Sequence, residues 1–316
     1  MTVTTLLEHV TEQSIEIGSL NQVVNPESNS NDILPAQIKE PATDEKLSEA
    51  ENRNLDFSSE SLPAPPVFSD KYEERAYLKS RLTLGFRVFA KLGFDCGIAG
   101  HITLRDPVDP TSFWLNPFGR PWPTLESKDL IRVDANGNVV EHGAYKTLNK
   151  AAYMIHHAVH VARPDINCVA HAHSTFGKAF CALGRNLDIL SQDACVFWND
   201  IAHYSSFRGA VLGPDEGQEI AKALGHRKAA LLQNHGLLTC GKTIEACVWW
   251  FMSLENCCQV QLLADAAAAG TGTQTVKVNE SDAEYTWRVA GADHVGYMSA
   301  LPMFELVEAA SRSYCF

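Results

Sequence analysis

Residues 149–184 read NKAAYMIHHAVHVARPDINCVAHAHSTFGKAFCALG and contain two helical patterns separated by a strand pattern. Apolar residues recur at spacings of three and four over 147–162, which predicts a helix. Arg163-Pro164-Asp165 ends it, because the residue before a proline disfavours helical backbone angles. INCVAHAH then indicates a strand, and STFGKAFCALG indicates a second helix. The alternation is typical of an α/β protein.

The pattern changes upstream of this stretch from helix to paired strands. Residues 71–92 predict a helix that Gly93 ends. AGHITLRD (99–106) and FWLNPFG (113–119) predict strands joined as a hairpin by DPVDPTS. Asn136-Gly137 predicts a second hairpin with a two-residue turn.

Downstream, strands alternate with helices. AHYSSFRGAVLG (202–213) is predicted to be extended, DEGQEIAKALG helical and KAALLQNHG a buried strand. Thr243 is predicted to cap a long helix that continues to about Ala269. Hairpins followed by alternation predict one α/β domain with a mixed or largely antiparallel sheet and no internal repeat.

Composition limits the classes of protein to consider. The net charge of −12 and the pI of about 5.4 argue against general binding to nucleic acid or anionic lipid, because like charges repel. Nine scattered cysteines indicate reduced thiols in the cytoplasm. No basic signal region precedes Lys39, and no apolar run reaches the roughly 20 residues of a membrane span. Residues 1–66 are predicted to be a disordered N-terminal tail and 67–316 the folded domain.

Three histidines are candidate metal ligands. His171 and His173 are two apart on the predicted strand, so their rings share one face at a backbone distance of roughly 6 to 7 Å. Alone, the pair is more often a chance pairing on a half-buried strand. His235, at the end of the predicted strand KAALLQNH, would complete a three-nitrogen set with an open coordination position, as in catalytic metal sites.

The stretch 149–184, the later LLQNHGLLTCGKTIEACVWWFMSLENCCQVQLLA and AGHITLRDP resemble the class II aldolase and adducin head-domain family, including its fungal adducin-like branch. The resemblance covers about residues 70–265. It implies a three-layer α/β/α fold with a central, mainly antiparallel sheet, a homotetramer with active sites between subunits, and a small-molecule substrate. It also implies a divalent metal on His171, His173 and His235: zinc, with iron or manganese as alternatives.

The sequence departs from that family at the aldolase base and in the phosphate pocket. The family's Ser-Ser-Glu motif is Lys150-Ala151-Ala152 here, so the glutamate that serves as base is missing. The family's Gly-Asn-x-Ser is Gly100-His101-Ile102-Thr103, and its Thr-Gly pair is Phe118-Gly119. A sugar phosphate is therefore not the expected substrate. The candidates for substrate binding are Lys150, Gly100, Thr103, Asn116 and Gly119.

Three residues are candidates for the missing acid or base. His156 lies one helical turn after Ala152, and His101 comes from the first hairpin; for each, a hydrogen-bonded interior histidine is an equally good interpretation. Tyr297 falls where family members bring a tyrosine to a neighbouring subunit's site, although such tyrosines are more often packing residues. His156 and His160 have ligand spacing, but without a matching glutamate they do not predict a second metal.

Three functions remain open at this point. The first is a metal-dependent lyase that cleaves or decarboxylates a small oxygen-rich substrate through a metal-stabilised enolate. Decarboxylation needs no base to start it, which suits Ala152. The second is a non-haem iron oxygenase on the same three histidines. The third is a non-catalytic, adducin-like interaction protein, which the presence of all three histidines disfavours.

Overall fold

The computed structural model describes residues 62–209 and 214–312. Its strands are β1 (His101–Arg105), β2 (Phe113–Leu115), β3 (Ile131–Val133), β4 (Val139–Glu141), β5 (Cys168–Ala172), β6 (Ile201–Tyr204), β7 (Ala229–Leu232) and β8 (Gly236–Gly241). Its helices are α1 (Lys71–Lys91), α2 (Lys150–Ala162), α3 (Thr175–Cys181), α4 (Pro214–Leu224), α5 (Ile244–Thr271), α6 (Glu280–Ala290) and α7 (Asp293–Arg312). Residues 1–61 of the predicted tail, and 210–213 of the predicted extended segment, lie outside the described residues.

The eight strands form one sheet in the order β4-β3-β2-β1-β5-β8-β7-β6. Only the pair β6–β7 is parallel, and every other neighbouring pair is antiparallel. The predicted mainly antiparallel sheet is confirmed. β5 lies at its centre, between β1 and β8, so the H-x-H segment emerges from the middle of the sheet.

Helices cover both faces of the sheet. Ala170 of β5 packs into one core with α1, α3, α5 and α7, whereas Val169 packs into a second core with α2 and α4. Adjacent residues point to opposite faces because side chains alternate along a strand. The three-layer α/β/α fold is thereby confirmed. His171 is two residues after Val169 in β5 and therefore lies on the face of the sheet that α2 and α4 cover. No helix of residues 62–209 and 214–312 combines the length and apolarity needed to cross a membrane.

The structure corrects two local predictions and contains three elements that were not predicted. The turn at Asn136-Gly137 is longer than two residues, because β3 ends at Val133 and β4 begins at Val139, and the Asp134 carboxylate accepts bonds from the intervening backbone. β7 ends at Leu232, so His235 lies in the turn before β8 and not at a strand end. β8, α6 and α7 were not predicted.

A buried carboxylate joins α1 to the end of β1. Asp106 is 0% exposed, and Arg75 donates to it twice, from Nε at 3.0 Å and Nη2 at 2.7 Å. The Val108 amide donates to the same carboxylate at 2.9 Å. Removing one partner of such a pair leaves the other charge buried without compensation.

We expect Asp106→Ala to lower the free energy of unfolding by about 3 to 5 kcal/mol, because the mostly buried side chain of Arg75 would lose its counter-ion. The measurement is urea denaturation at neutral pH. Glu284→Ala is the matched control, since its pair with Arg288 lies at the surface and should be worth less than about 1 kcal/mol. Equal losses in the two variants would contradict the assignment.

Candidate metal centre

Two segments at one end of the sheet bring the candidate ligands together. His171 is the fourth residue of β5, His173 follows the end of that strand, and His235 lies in the turn between β7 and β8. β5 and β8 are antiparallel with Ala172 opposite Leu237, so the end of one strand meets the start of the other. Asn234 has a φ of 56°, a left-handed conformation that asparagine tolerates and that makes the turn before His235 tight.

The geometry of the three rings fits one metal ion. One ligand nitrogen from each of His171, His173 and His235 lies within 4.8 Å of the others. Two metal–nitrogen bonds of about 2.1 Å span at most about 4.2 Å, so only a small closing movement is needed. The ring centroids are 4.6 to 5.1 Å apart and the rings are close to perpendicular, which allows three nitrogens to converge.

Hydrogen bonding selects which nitrogen of His171 is available. Its Nδ1 lies 2.8 Å from the Leu237 carbonyl oxygen, which can only accept, so Nδ1 carries the proton and donates. Nε2 is left with its lone pair, as in metal sites where a backbone carbonyl orients the ligand histidine. His171 is 2% exposed, which further restricts the ring.

The protein environment keeps all three imidazoles neutral. Burial, followed by the neighbouring His235, holds the pKa of His171 well below its usual value. Burial also lowers the pKa of His173, with Lys178 as the second cause, and lowers the pKa of His235 to about 4. Metal ligation requires the unprotonated nitrogen, so this set is ready to bind a cation at neutral pH.

Two glycines allow the strands to approach beside the histidines. Gly100 has a φ of 92°, and a Cβ there would lie 3.0 Å from the His171 carbonyl oxygen. A Cβ on Gly236 would lie 2.7 Å from the Ala172 carbonyl oxygen. Neither position accepts a side chain without displacing backbone, so both glycines hold the geometry of the cluster.

A buried carboxylate orders the chain immediately after His173. Glu255 of α5 accepts from the Phe176 amide at 2.8 Å, from the Gly177 amide at 2.7 Å and from the Ser174 hydroxyl. It thereby stabilises the first turn of α3. Sequence reasoning missed Glu255; the available signal was a single acidic residue on the apolar face of the long helix.

Two further histidines lie next to the cluster on the same face of the sheet. His101 of β1 is opposite His171 in the β1–β5 register, with ring centroids 5.4 Å apart. His156 of α2 lies against His101, at 4.2 Å between centroids. In the described part of the chain neither nitrogen of His101, nor Nε2 of His156, has a hydrogen-bond partner. Both histidines, which the sequence offered as candidates for the missing acid or base, therefore lie close to the three candidate metal ligands.

A family model described as the class II aldolase and adducin N-terminal domain matches residues 80–262. The chain belongs to the class II aldolase and adducin family. The match includes the three histidines, all of β1–β8 and most of α5, whereas α6 and α7 follow it. The resemblance found in the sequence is therefore confirmed.

Two curated relatives in this family are 44% identical over 242 residues, which is 76% of this chain. One is decarboxylase NovR of Streptomyces niveus, of which 87% is covered. The other is named 4-hydroxy-3-prenylphenylpyruvate oxygenase/4-hydroxy-3-prenylbenzoate synthase, from Streptomyces roseochromogenus subsp. oscitans, with 85% covered. Among solved structures, L-fuculose 1-phosphate aldolase from Glaciozyma antarctica PI12 is similar, with a TM-score of 0.73, 43% identity, and coverage of 79% of this chain and 96% of that one. These names support an enzyme of the lyase type.

The other candidates from the class II aldolase resemblance occupy varied positions. Lys150 is the exposed first residue of α2, and Gly119 is exposed in the loop after β2 with a φ of 78°. Asn116 is buried, and its Oδ1 has no partner among the described residues. The Thr103 hydroxyl is held between two histidines of α2. Tyr297 lies in α7, where its hydroxyl donates to the Ala64 carbonyl at 3.3 Å.

Proposed function

We propose that this protein is a metal-dependent lyase that removes carbon dioxide from, or cleaves a carbon–carbon bond in, a small oxygen-rich substrate. The observation that carries the proposal is a cluster of three neutral histidines in a chain with Ala152 in place of the aldolase base. Alanine cannot take a proton, so a reaction that begins by abstracting one loses its essential group. Decarboxylation begins by breaking a carbon–carbon bond and does not need that base.

The charge of the ligand set supports an anionic substrate. Three imidazoles add no negative charge, so a divalent ion held by His171, His173 and His235 keeps its full charge. When bound, such an ion polarises a carbonyl group and stabilises the negative charge left by bond cleavage. Zinc is the ion we propose, since it favours nitrogen ligands and needs no redox partner. In this proposal His101 and His156, which have ring nitrogens without a partner among the described residues, meet substrate oxygens beside the ion.

A non-haem iron oxygenase is the second candidate. The relative from Streptomyces roseochromogenus subsp. oscitans carries the word oxygenase in its name and is 44% identical. Neutral imidazoles with open coordination positions also suit Fe(II). The two candidates share their ligands and differ in the metal and in the use of oxygen, so an experiment can separate them.

The test combines metal analysis with two reaction assays on the purified full chain. Metal content is measured by mass spectrometry, and aromatic hydroxy acids and 2-oxo acids are screened for carbon dioxide release with and without oxygen. About one zinc per chain and release without oxygen would support the lyase. Iron together with oxygen consumption would instead establish the oxygenase.

Two further outcomes would contradict the proposal. Absence of metal from the wild-type protein, purified without chelators, would exclude both candidates. Cleavage of L-fuculose 1-phosphate would show that this chain is a sugar-phosphate aldolase in spite of Ala152. The Glaciozyma antarctica structure makes that substrate the appropriate comparison.

We also propose that the chain acts in the cytoplasm as a homotetramer in which Tyr297 reaches the site of a neighbouring copy. Within one chain the Tyr297 hydroxyl bonds to Ala64, so this role needs a second subunit. The mass in solution, measured by light scattering, tests the assembly.

A further inference from the structure

A second polar cluster is buried between β1 and α2, beside the candidate metal centre. His156 and His160 are each 1% exposed, and Thr103 is 3% exposed. The Thr103 Oγ1 atom lies 2.8 Å from His156 Nδ1 and 2.8 Å from His160 Nε2. A hydroxyl has one proton, so it can donate to only one of the two rings. The direction of the bonds therefore depends on what lies behind each ring.

Arg105 lies behind His160. Its Nη2 donates to the carbonyl oxygens of His160 at 2.8 Å and Arg163 at 3.2 Å, and it lies 3.5 Å from His160 Nδ1, at the long limit of hydrogen bonding. A guanidinium carries only donors, so it faces the nitrogen of His160 that has a lone pair. The proton of His160 is then on Nε2, which donates to the Thr103 hydroxyl.

The remaining bonds follow from this direction. Because Thr103 accepts from His160, its own proton donates to His156 Nδ1. His156 must then carry its proton on Nε2, the atom with no partner in the described part of the chain. The opposite direction would place N–H groups of Arg105 and His160 against each other.

Both rings hold one proton each. Burial, and then the Arg105 charge, keeps the pKa of His160 well below its usual value. Burial, and then the neighbouring His171, does the same to the pKa of His156. Phe113 stacks on His160 at 4.3 Å between ring centroids and holds the ring flat against β2. A fixed ring with one proton has a single tautomer when its partners are fixed.

We propose that Arg105, His160 and Thr103 are positioning residues that lock His156 as a hydrogen-bond donor, through Nε2, beside the candidate metal centre. His156 lies against His101, which lies against His171, so one ring separates the His156 ring from the cluster. This inference rests on the proposed function in one respect: the group that accepts the hydrogen bond from His156 is taken to belong to the substrate.

Arg105, the last residue in this series of hydrogen bonds, determines whether His156 can give up its proton. A guanidinium does not release its proton at neutral pH, so Arg105 cannot resupply a proton that His156 gives away. If Thr103 and His160 replaced the proton that His156 had lost, His160 would lose its only ring proton and become an anion. His156 therefore donates a hydrogen bond to a negatively charged oxygen and keeps its proton. It is also unsuited to act as a base, because its one lone pair accepts from Thr103.

This assignment narrows the substrate class. The group that meets His156 must be an acceptor, such as a carboxylate oxygen or the oxygen on which negative charge develops after bond cleavage. A hydroxyl that has to lose its proton would find no base there. The missing glutamate is consequently not replaced by His156.

The test is the tautomer of His156, read by nitrogen NMR of histidine-labelled protein at pH 7. The full chain is measured metal-free and with zinc added, and His156→Gln identifies the resonances. We expect wild-type His156 to be protonated on Nε2 alone. Thr103→Val, which removes the hydroxyl but keeps the shape, is expected to lose the single tautomer, and Thr103→Ser to retain it.

Protonation of His156 on Nδ1 in the wild-type protein would overturn the proposal without requiring any variant. An unchanged tautomer in a folded Thr103→Val protein would also overturn it. The result is independent of metal binding, because the tautomer is read in metal-free protein. A chain that binds no metal would refute the proposed lyase and leave this assignment standing.

Discussion

His173→Ala is expected to lower the affinity for the proposed metal ion by more than about 100-fold, because loss of even an outer partner of a ligand costs 10- to 100-fold. Two imidazoles would remain where a catalytic site needs three protein ligands. His173 is the variant of choice because its side chain is only half-buried, whereas His171 is 2% exposed and pairs with Leu237. Metal content after dialysis, measured by mass spectrometry, gives the result.

The matched control is His226→Ala, which removes an exposed histidine between α4 and β7. It should retain the wild-type metal content. Thermal unfolding of both variants in EDTA separates a loss of metal from a loss of fold. If His173→Ala keeps one metal per chain through the dialysis, the ion is bound elsewhere and the three histidines are not its site.

The second large effect expected is on stability as the pH falls. His156 and His160 have folded-state pKa values well below the usual 6.5, with burial as the main cause. The unfolded chain therefore binds more protons below pH 6.5, and the free energy of unfolding falls with the pH from there. Each of the two histidines contributes a slope of about 1.4 kcal/mol per pH unit, until its own folded-state pKa is reached. Above about pH 7 both states are neutral and the slope disappears.

Urea denaturation between pH 7.5 and 5.0, in EDTA so that metal binding does not contribute, measures this slope. Other buried histidines add to the total, so the informative quantity is the difference between variants. His160→Gln should reduce the slope by about 1.4 kcal/mol per pH unit, which is the contribution of one proton. Identical slopes in wild-type and His160→Gln would mean that His160 accepts a proton in the folded state.

Local sequence patterns were enough to predict much of the fold. The period of α2, its end before Pro164, the strand that follows and the Thr243 cap of α5 depend on neighbouring residues, so they are legible in the sequence. The Thr243 hydroxyl does accept from the Ala246 amide, at 3.1 Å. β8 could not be identified in the same way. It is buried on both faces, and a short apolar run without alternation does not distinguish strand from helix.

The contacts around the site were less predictable, because they join distant parts of the chain. His101 meets His171 through the register of β1 with β5, and a shift of one residue would turn His101 to the other face. Glu255 reaches the residues after His173 from α5, across 78 residues or more of chain. The local pattern of apolar residues predicts neither contact.

The sequence by itself predicted that the side chains of His171 and His173 project to the same side, because residues two apart in extended backbone point the same way. It also determined that Ala152 cannot serve as a base. The tertiary structure decided which further groups join them: His235 from a turn, His101 through strand register and His156 from a helix. It also decided the protonation of each ring, because burial and specific acceptors such as the Leu237 carbonyl exist only after the chain has packed.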